Sequence, residues 1–144
     1  MKNKSFLFWF SLSLIWMGVI FAFSHQAYSG RISEEYLGEA NIPVRKLAHM
    51  SEFGLLYFLY LKSLLSLNGA LEPRAGRQRG WLALLLVFAY AASDEWHQSF
   101  VPGRSSQFND VLVDMLGAVL TALFLILLGK LPPGKPGLKD PSVQ

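Results

Sequence analysis

The sequence contains no cysteine among its 144 residues, so disulfide bridges, thiol nucleophiles and zinc–thiolate sites are all excluded. Charged residues are also scarce, at 16%, whereas soluble domains average about a quarter. The basic residues are scattered between apolar segments, so the pattern predicts no nucleic-acid surface. Apolar side chains make up 52% of the chain, and this composition predicts an integral membrane protein.

Four segments approach the roughly 20 apolar residues that a membrane-spanning helix needs. They are residues 5–23, about 47–67, about 81–98 and about 111–131. A chain of this length favours a single domain, so we predict an all-α, four-helix transmembrane bundle over residues 1–131. The Pro- and Gly-rich residues 132–144 predict a disordered cytoplasmic tail.

The basic residues also predict how the bundle is oriented, because Lys and Arg favour the cytoplasmic side. They are more frequent near the N-terminus, in the 68–80 connection and in the C-terminal tail than in the two other connections. Both termini are therefore predicted to be cytoplasmic, with the 24–46 loop and the loop around Arg104 outside. The first segment also has features of a signal peptide, but it is longer than the roughly 7–15 apolar residues of a signal core.

Ionisable residues stand out where the third apolar run ends. The uncharged residues 81–92 are followed by SDEWHQSFVPGR, residues 93–104. These twelve uncharged residues span only about 18 Å as a helix, whereas the hydrocarbon core is about 30 Å thick. Asp94 and Glu95 should therefore lie at or below the outer boundary of the hydrocarbon.

The neighbouring helices bring further polar residues to the same outer end. Lys46, His49 and Glu52 follow one another at intervals of three residues, and Asp110 and Asp114 are four apart, so each set shares a helix face. A charge at the centre of a membrane helix costs roughly 2.5–3.5 kcal/mol on insertion scales, which favours inward-facing, paired groups. We therefore predict one polar site at this end. The alternative is that such pairs only fix the helix register.

Chemistry is predicted from the residue types in this cluster. Histidine titrates near neutral pH and suits acid–base catalysis with a carboxylate. The candidate catalytic residues are His49, Glu52, Asp94, Glu95 and His97. An arginine can grip phosphate through two parallel hydrogen bonds, and the candidate substrate-binding residues are Lys46, Gln98, Arg104, Asp110 and Asp114. Imidazoles and carboxylates can also ligate a divalent metal, but HExxH and DxD spacings are absent, so a metal is only weakly supported, no residue is assigned as a metal ligand, and the sequence does not identify a cofactor.

Two stretches of the sequence resemble a known family. KLAHMSEFGLLY (46–57) and SDEWHQSFVPGRSSQFNDVLVDMLGA (93–118) are similar to the VanZ-like family. That family is named for a small membrane protein of glycopeptide-resistance clusters, associated with lowered susceptibility to teicoplanin. The resemblance extends over about residues 24–128 and implies a setting at the outer face of the bacterial cytoplasmic membrane. Asp114 departs from the pattern, in which asparagine is more usual, so its extra charge needs a partner.

Three functions remain open from the sequence. The first is an enzyme that acts on a lipid-linked or other envelope substrate. The second is a non-catalytic protein that binds a lipid headgroup or a glycopeptide such as teicoplanin. The third is a small transporter, which the intramembrane carboxylates favour but which lacks a charged path through the inner half of the bundle. Membrane lipids are the predicted partners in all three, and a multi-pass location in the cytoplasmic membrane is predicted.

Overall fold

A computed structural model describes residues 2–67, 73–104 and 107–130. It is helical throughout, with α1 (Lys2–Ser24), α2 (Ser29–Leu37), a 3-10 turn (Gly38–Ala40), α3 (Asn41–Ser66), α4 (Pro73–Gln98) and α5 (Phe108–Leu127). The predicted all-α class is confirmed. The prediction of a plain loop over residues 24–46 was wrong, because this connection holds α2 and the 3-10 turn. The predicted tail lies outside the described residues.

Two long helices begin earlier than their apolar runs. α3 begins at Asn41 rather than near residue 47, and α4 begins at Pro73 rather than near residue 81. Pro43 and Pro73 both fall in a first helical turn, where a backbone N–H has no partner within the helix, so proline is tolerated. The segment predicted as a cytoplasmic loop thus contains the first two turns of α4. Neither segment extends an apolar run, because Arg45 and Lys46 interrupt the first, and Arg74, Arg77 and Arg79 interrupt the second.

α3 lies at the centre of the bundle and packs against α1, α4 and α5. Its Phe53, Leu56 and Tyr57 are almost completely buried, and they form one core cluster with Val87 of α4 and Ala118 of α5. Side-chain hydrogen bonds hold α1 to this core. The Trp16 indole donates to the Glu52 carbonyl (2.9 Å), and the Tyr90 hydroxyl donates to the Met17 carbonyl (2.6 Å).

The closest approach between two helices is where α3 crosses α5. A side chain at Gly117 would overlap the backbone carbonyl of Met50, and one at Gly54 would come within 2.7 Å of the Thr121 hydroxyl. Small residues let helix backbones approach in this way. The crossing fixes the height of α5 along α3, and therefore sets which residues face each other at their outer turns.

The outer surface of the bundle is strongly apolar. Within the described chain, Lys4–Ser24 and Phe108–Leu127 are long and apolar enough to cross a membrane. Large apolar side chains such as Ile15 and Phe124 are mostly exposed on these two helices, which a water-facing surface rarely shows. α3 and α4 carry polar residues that lower their hydropathy. α1 and α4 end, and α3 and α5 begin, at the same end of the bundle, which we call the polar end.

Candidate functional site

The polar residues of α4 are buried because they continue the packing face of that helix. Val87 and Ala91 are core residues on this face, and Asp94 and Gln98 follow at spacings of three and four residues. Such spacings keep side chains on one side of a helix. In α5, Asp114 likewise continues the buried face. The bundle therefore holds carboxylates at positions that are apolar farther from the polar end.

Asp94 joins α4 to the end of α1. Its Oδ2 accepts hydrogen bonds from the Ser24 hydroxyl (2.7 Å) and from the Gln98 amide (2.9 Å). Only 3% of Asp94 is exposed, and its Oδ1 is buried without a hydrogen-bond partner among the described residues. Two neutral donors thus hold this carboxylate in place of the cation that the sequence predicted.

His49 and Asp114 form the only ion pair among the described residues. Nδ1 of His49 lies 3.4 Å from Oδ1 of Asp114, and the side chains are 23% and 3% exposed. The pair connects α3 to α5 one turn from the crossing at Gly117. A histidine beside a buried carboxylate is the arrangement that orients an imidazole for proton transfer. This contact also supplies the partner that the charge of Asp114 was expected to need.

Glu95 holds the beginning of α5 in place. Its Oε1 accepts a hydrogen bond from the backbone N–H of Gln107 (2.6 Å), the residue that precedes α5 and has an extended backbone. Because Glu95 is only 7% exposed, this charge-assisted bond lies largely out of solvent and is stronger for it. The connection between α4 and α5 is therefore fixed to the end of α4.

Arg104 reaches from that connection across to α1. Its Nη2 donates to the carbonyl of Phe23 (2.8 Å), one of the last carbonyls of α1, where a helix end favours positive charge. Burial, and then the neighbouring charge of Arg45, lowers the pKa of Arg104 below its ordinary value, whereas Asp94 and Glu95 act in the opposite direction. In the part of the chain that the structure describes, neither arginine forms an ion pair. The guanidinium groups of Arg45 and Arg104 thus lie near each other.

These side chains surround two adjoining depressions at the polar end. The first has a volume of about 250 Å³ between α3, α4 and α5, and is lined by Ile42, Arg45, Lys46, His49, Glu95, Gln98, Arg104, Gln107, Asp110, Val113 and Asp114. The second, of about 710 Å³, is more open, and is lined by Phe23, Gln26, Ala27, Ser29, Ile32, Ser33, Arg45, Ala48, His49, Glu52 and Arg104. Arg45, His49 and Arg104 belong to both and stand at the boundary between them.

Most of the predicted site residues meet at the first depression. They are Lys46, His49, Glu95, Gln98, Arg104, Asp110 and Asp114. Glu52 lines only the second depression, on the other side of His49 from Lys46. Asp94 lines neither, because it is buried against Ser24. The catalytic and binding roles assigned to these residues stay predictions.

His97 is the predicted residue that lies apart from the others. It lines neither depression. Its Nε2 lies 3.1 Å from Nδ1 of His25, and its ring packs against Phe21 with the centroids 4.5 Å apart. The helical spacing explains this position, because His97 is three residues beyond Asp94 and adjacent to Gln98, on the side of α4 that faces α1.

Three contributors to the site lie outside the set of predicted site residues. Arg45 was counted only as a loop charge, but it lies four residues before His49 on the same face of α3. Arg45 lies on this face because α3 begins at Asn41 rather than near residue 47. Ser24 and Gln107 act through a hydroxyl and a backbone N–H. Neither carries a charge that would mark it in the sequence.

The site combines an acid–base pair with an excess of positive charge at its boundary. Within residues 2–67, 73–104 and 107–130, no group of three or more His, Cys, Asp or Glu side chains is placed to hold a metal ion. The arrangement suits an anionic group that lies between Arg45 and Arg104 and reaches the imidazole of His49. Phosphate is such a group, since arginine matches its geometry with paired donors.

Comparison with known protein families gives a match over most of the chain. A family model described as VanZ/LLP1 matches residues 8–129. This range contains α2 to α5, most of α1 and every residue that lines the two depressions. No curated protein and no solved structure matches the chain.

Proposed function

The chain belongs to the VanZ/LLP1 family, and from that membership we propose that it acts on a phosphate-bearing lipid of the bacterial envelope. The match agrees with the resemblance carried by residues 46–57 and 93–118. In this proposal α1, α3, α4 and α5 cross the cytoplasmic membrane, both termini are cytoplasmic, and the polar end lies at the outer leaflet. Two of the four helices are long and apolar enough to cross on their own.

The observation that supports this function is the His49–Asp114 pair at the wall of a pocket bounded by arginines. Nδ1 of His49 faces the carboxylate of Asp114 at 3.4 Å, which leaves Nε2 for a substrate. Arg45 and Arg104 stand beside it at the boundary of the two depressions. An acid–base group next to paired guanidinium groups is what the cleavage of a phosphate ester requires.

In this proposal the reaction is hydrolysis of a phosphate ester. His49 takes a proton from water, and the water oxygen forms a bond to phosphorus. The bond between phosphorus and the leaving oxygen breaks, and His49 returns the proton to that oxygen. Asp114 stabilises the imidazolium between the two proton transfers, as a carboxylate does beside a catalytic histidine. Arg45 and Arg104 offset the negative charge on the phosphoryl oxygens.

The test is a turnover assay with full-length protein in nanodiscs that contain lipids extracted from a Gram-positive envelope. Mass spectrometry would follow the lipids of wild type and of His49→Gln, His25→Gln and His97→Gln. We expect His49→Gln to lose about 100-fold or more in rate, the usual contribution of a general acid–base group. His25→Gln and His97→Gln should keep most of the activity, because both histidines lie outside the depressions. A lipid profile that wild type leaves unchanged would contradict the enzymatic function.

A second candidate is a protein that binds the same lipid, or a glycopeptide, without turnover. It is favoured because the polar contacts of the site also join helices, His49–Asp114 joining α3 to α5 and Ser24–Asp94 joining α1 to α4. The measurement is teicoplanin susceptibility of a Gram-positive host that expresses wild type or Arg45→Gln at equal membrane levels. Protection by wild type alone, without lipid turnover, would support binding. Equal susceptibility of both strains and the empty host would remove the resistance role.

The described residues give no support to a transporter. Below the polar end, α3 contributes the apolar core residues Phe53, Leu56 and Tyr57. Lys62 is the one charge of α3 farther along, and its Nζ lies 5.2 Å from the centre of the Trp9 ring rather than in a polar path. Solute flux into proteoliposomes above the background of protein-free vesicles would be the evidence for a transporter.

A further inference from the structure

The second depression differs from the first in what its walls are made of. Apart from the three residues that it shares with the first, half of its lining is apolar, with Phe23 at the end of α1, Ala27 just beyond it, Ile32 of α2 and Ala48 of α3, and the rest is Gln26, Ser29, Ser33 and Glu52. Its volume of about 710 Å³ falls within the roughly 300–1,000 Å³ of small-molecule sites. A wholly polar substrate would not use these walls, whereas a hydrocarbon chain would.

α2 places this depression at the level of the membrane surface. Only residues 25–28 separate α2 from the end of α1, one of the two helices apolar enough to cross a membrane. Ile32 and Tyr36 lie one turn apart and are 56% and 82% exposed, while Glu34 projects from the opposite side of the helix. A short helix with one apolar and one acidic face, tethered to the end of a span, suits the interface between headgroups and acyl chains.

Contacts on both sides hold α2 over the depression. The Ser33 hydroxyl donates to Oδ1 of Asn41, the first residue of α3 (2.6 Å). On the other side, the backbone N–H of Tyr28 donates to the Pro102 carbonyl (3.2 Å), and the Tyr28 ring packs on Gly103, where a side chain would not fit. α2 is thus fixed between α3 and the α4–α5 connection, with Ile32 turned toward the depression.

The positive charge at the boundary between the two depressions indicates that the headgroup of the ligand is anionic. Arg45 and Arg104 line both depressions, and Nε of Arg104 is buried without a hydrogen-bond partner in the described chain. The guanidinium groups of this pair line both depressions, where a phosphate can accept hydrogen bonds from them. His49 stands at the same boundary and faces Asp114 on the other side.

We propose that the second depression holds the hydrocarbon chain of a phosphate-bearing lipid, whose phosphate lies between Arg45 and Arg104 and which enters sideways from the outer leaflet beneath α2. This proposal rests on the proposed function, which takes the first depression as the pocket where the reaction occurs. Lipid binding can nevertheless be measured without turnover. The substrate is then a membrane amphiphile with a phosphate headgroup, and not a free phosphate or a soluble phosphate ester.

The experiment labels the full-length protein in micelles of dodecyl maltoside, which carries no phosphate, with phosphatidic acid that has a photoactivatable diazirine on one acyl chain. Peptide mapping by mass spectrometry should place the label on residues 23–33 and 45–52. Arg45→Gln should reduce labelling about tenfold, which corresponds to about 1.4 kcal/mol of binding free energy. Arg77→Gln, which removes an exposed arginine near the beginning of α4, is the matched control and should leave labelling unchanged.

Competition identifies the source of the phosphate. Dodecyl phosphate should reduce labelling, whereas inorganic phosphate at the same concentration should not, and a diacylglycerol probe without phosphate should label these segments weakly. Ala48→Trp would fill the depression from α3 without altering either arginine, so it gives an independent test if Arg45→Gln does not fold. Competition by inorganic phosphate equal to that of dodecyl phosphate would overturn the lipid assignment.

The two proposals fail in different ways. Label that maps to the depression and depends on Arg45, without turnover of any lipid, would remove the proposed hydrolysis and leave the lipid site in place. Turnover by wild type, with label spread over the outer surface of the bundle and unchanged in Arg45→Gln and Ala48→Trp, would overturn the lipid site and leave the hydrolysis.

Discussion

Single residues at the polar end show how neutral groups help to hold buried carboxylates in place. Asp94 accepts two hydrogen bonds from Ser24 and Gln98, and Glu95 accepts one from a backbone N–H. Neutral donors can hold a charge in this way when their geometry is fixed by the helices that carry them. Arg104 is then left to bind the end of α1 and the proposed phosphate.

We expect Ser24→Ala to destabilise the protein by about 1–3 kcal/mol, because it removes one donor from a buried, charged acceptor. The free energy of unfolding would be measured in mixed micelles by titration with sodium dodecyl sulfate. Ser93→Ala is the matched control, since its exposed hydroxyl bonds only to the Tyr90 carbonyl of its own helix. Equal stability of the two variants would show that the Ser24–Asp94 contact contributes little.

At the scale of helices, the α3–α5 crossing determines which side chains face each other in the site. Gly117 lies against the Met50 carbonyl, and His49 meets Asp114 one turn nearer the polar end. A displacement of α5 along α3 would therefore separate the acid–base pair. The glycine thus acts on the site through helix position, although it contacts neither member of the pair.

We expect Gly117→Ala to destabilise the bundle by about 1–3 kcal/mol, the usual cost of overpacking, and to reduce turnover through displacement of Asp114. Gly18→Ala is the matched control, because a side chain at Gly18 meets no atom within 4 Å. It should be neutral or stabilising, by up to about 1 kcal/mol, since alanine favours a helix over glycine. Unfolding titrations of both variants make the comparison, and equal effects would contradict the close crossing.

The helices differ in how far the sequence could predict them. Apolar runs in the sequence predicted α1, α3 from about residue 47 onward, α4 from about residue 81 onward, and α5. These segments are apolar because they contact apolar surroundings. The first turns of α3 and α4 and all of α2 escaped prediction, since their polar residues give no apolar run. Arg45 was missed for that reason. The separation of His97 from His49 depends on how the helices are rotated, which one sequence does not specify.

α2 itself leads to a prediction about its depth in the membrane. The absence of cysteine allows a single spin label to be placed at Tyr36 or, as the control, at Glu34 on the opposite face of the helix. We expect the label at position 36 to be more accessible to oxygen, which concentrates in lipid, than to a water-soluble nickel reagent. Position 34 should show the reverse, because it faces water. Equal accessibilities would contradict an interfacial α2 and weaken the sideways entry of lipid.

At the scale of the whole molecule, the proposed function depends on the direction in which the bundle crosses the membrane. The beginning of α1, the end of α3, the beginning of α4 and the end of α5 lie away from the polar end. Basic residues are concentrated at those places, among them Lys4, Arg77 and Lys130, which favours a cytoplasmic location for them. In the proposed orientation the site faces the envelope, where lipid-linked precursors and glycopeptides are found.

We therefore expect a cysteine at Asn109, exposed at the beginning of α5, to react with a membrane-impermeant maleimide in intact cells. A cysteine at Gln78, exposed near the beginning of α4, should react only after the membrane is permeabilised. Wild type supplies the blank, because it has no cysteine of its own. The reverse pattern would place the polar end in the cytoplasm and rule out action at the outer leaflet. Labelling of both positions in intact cells would show that α4 does not cross the membrane, which would contradict the four-span bundle.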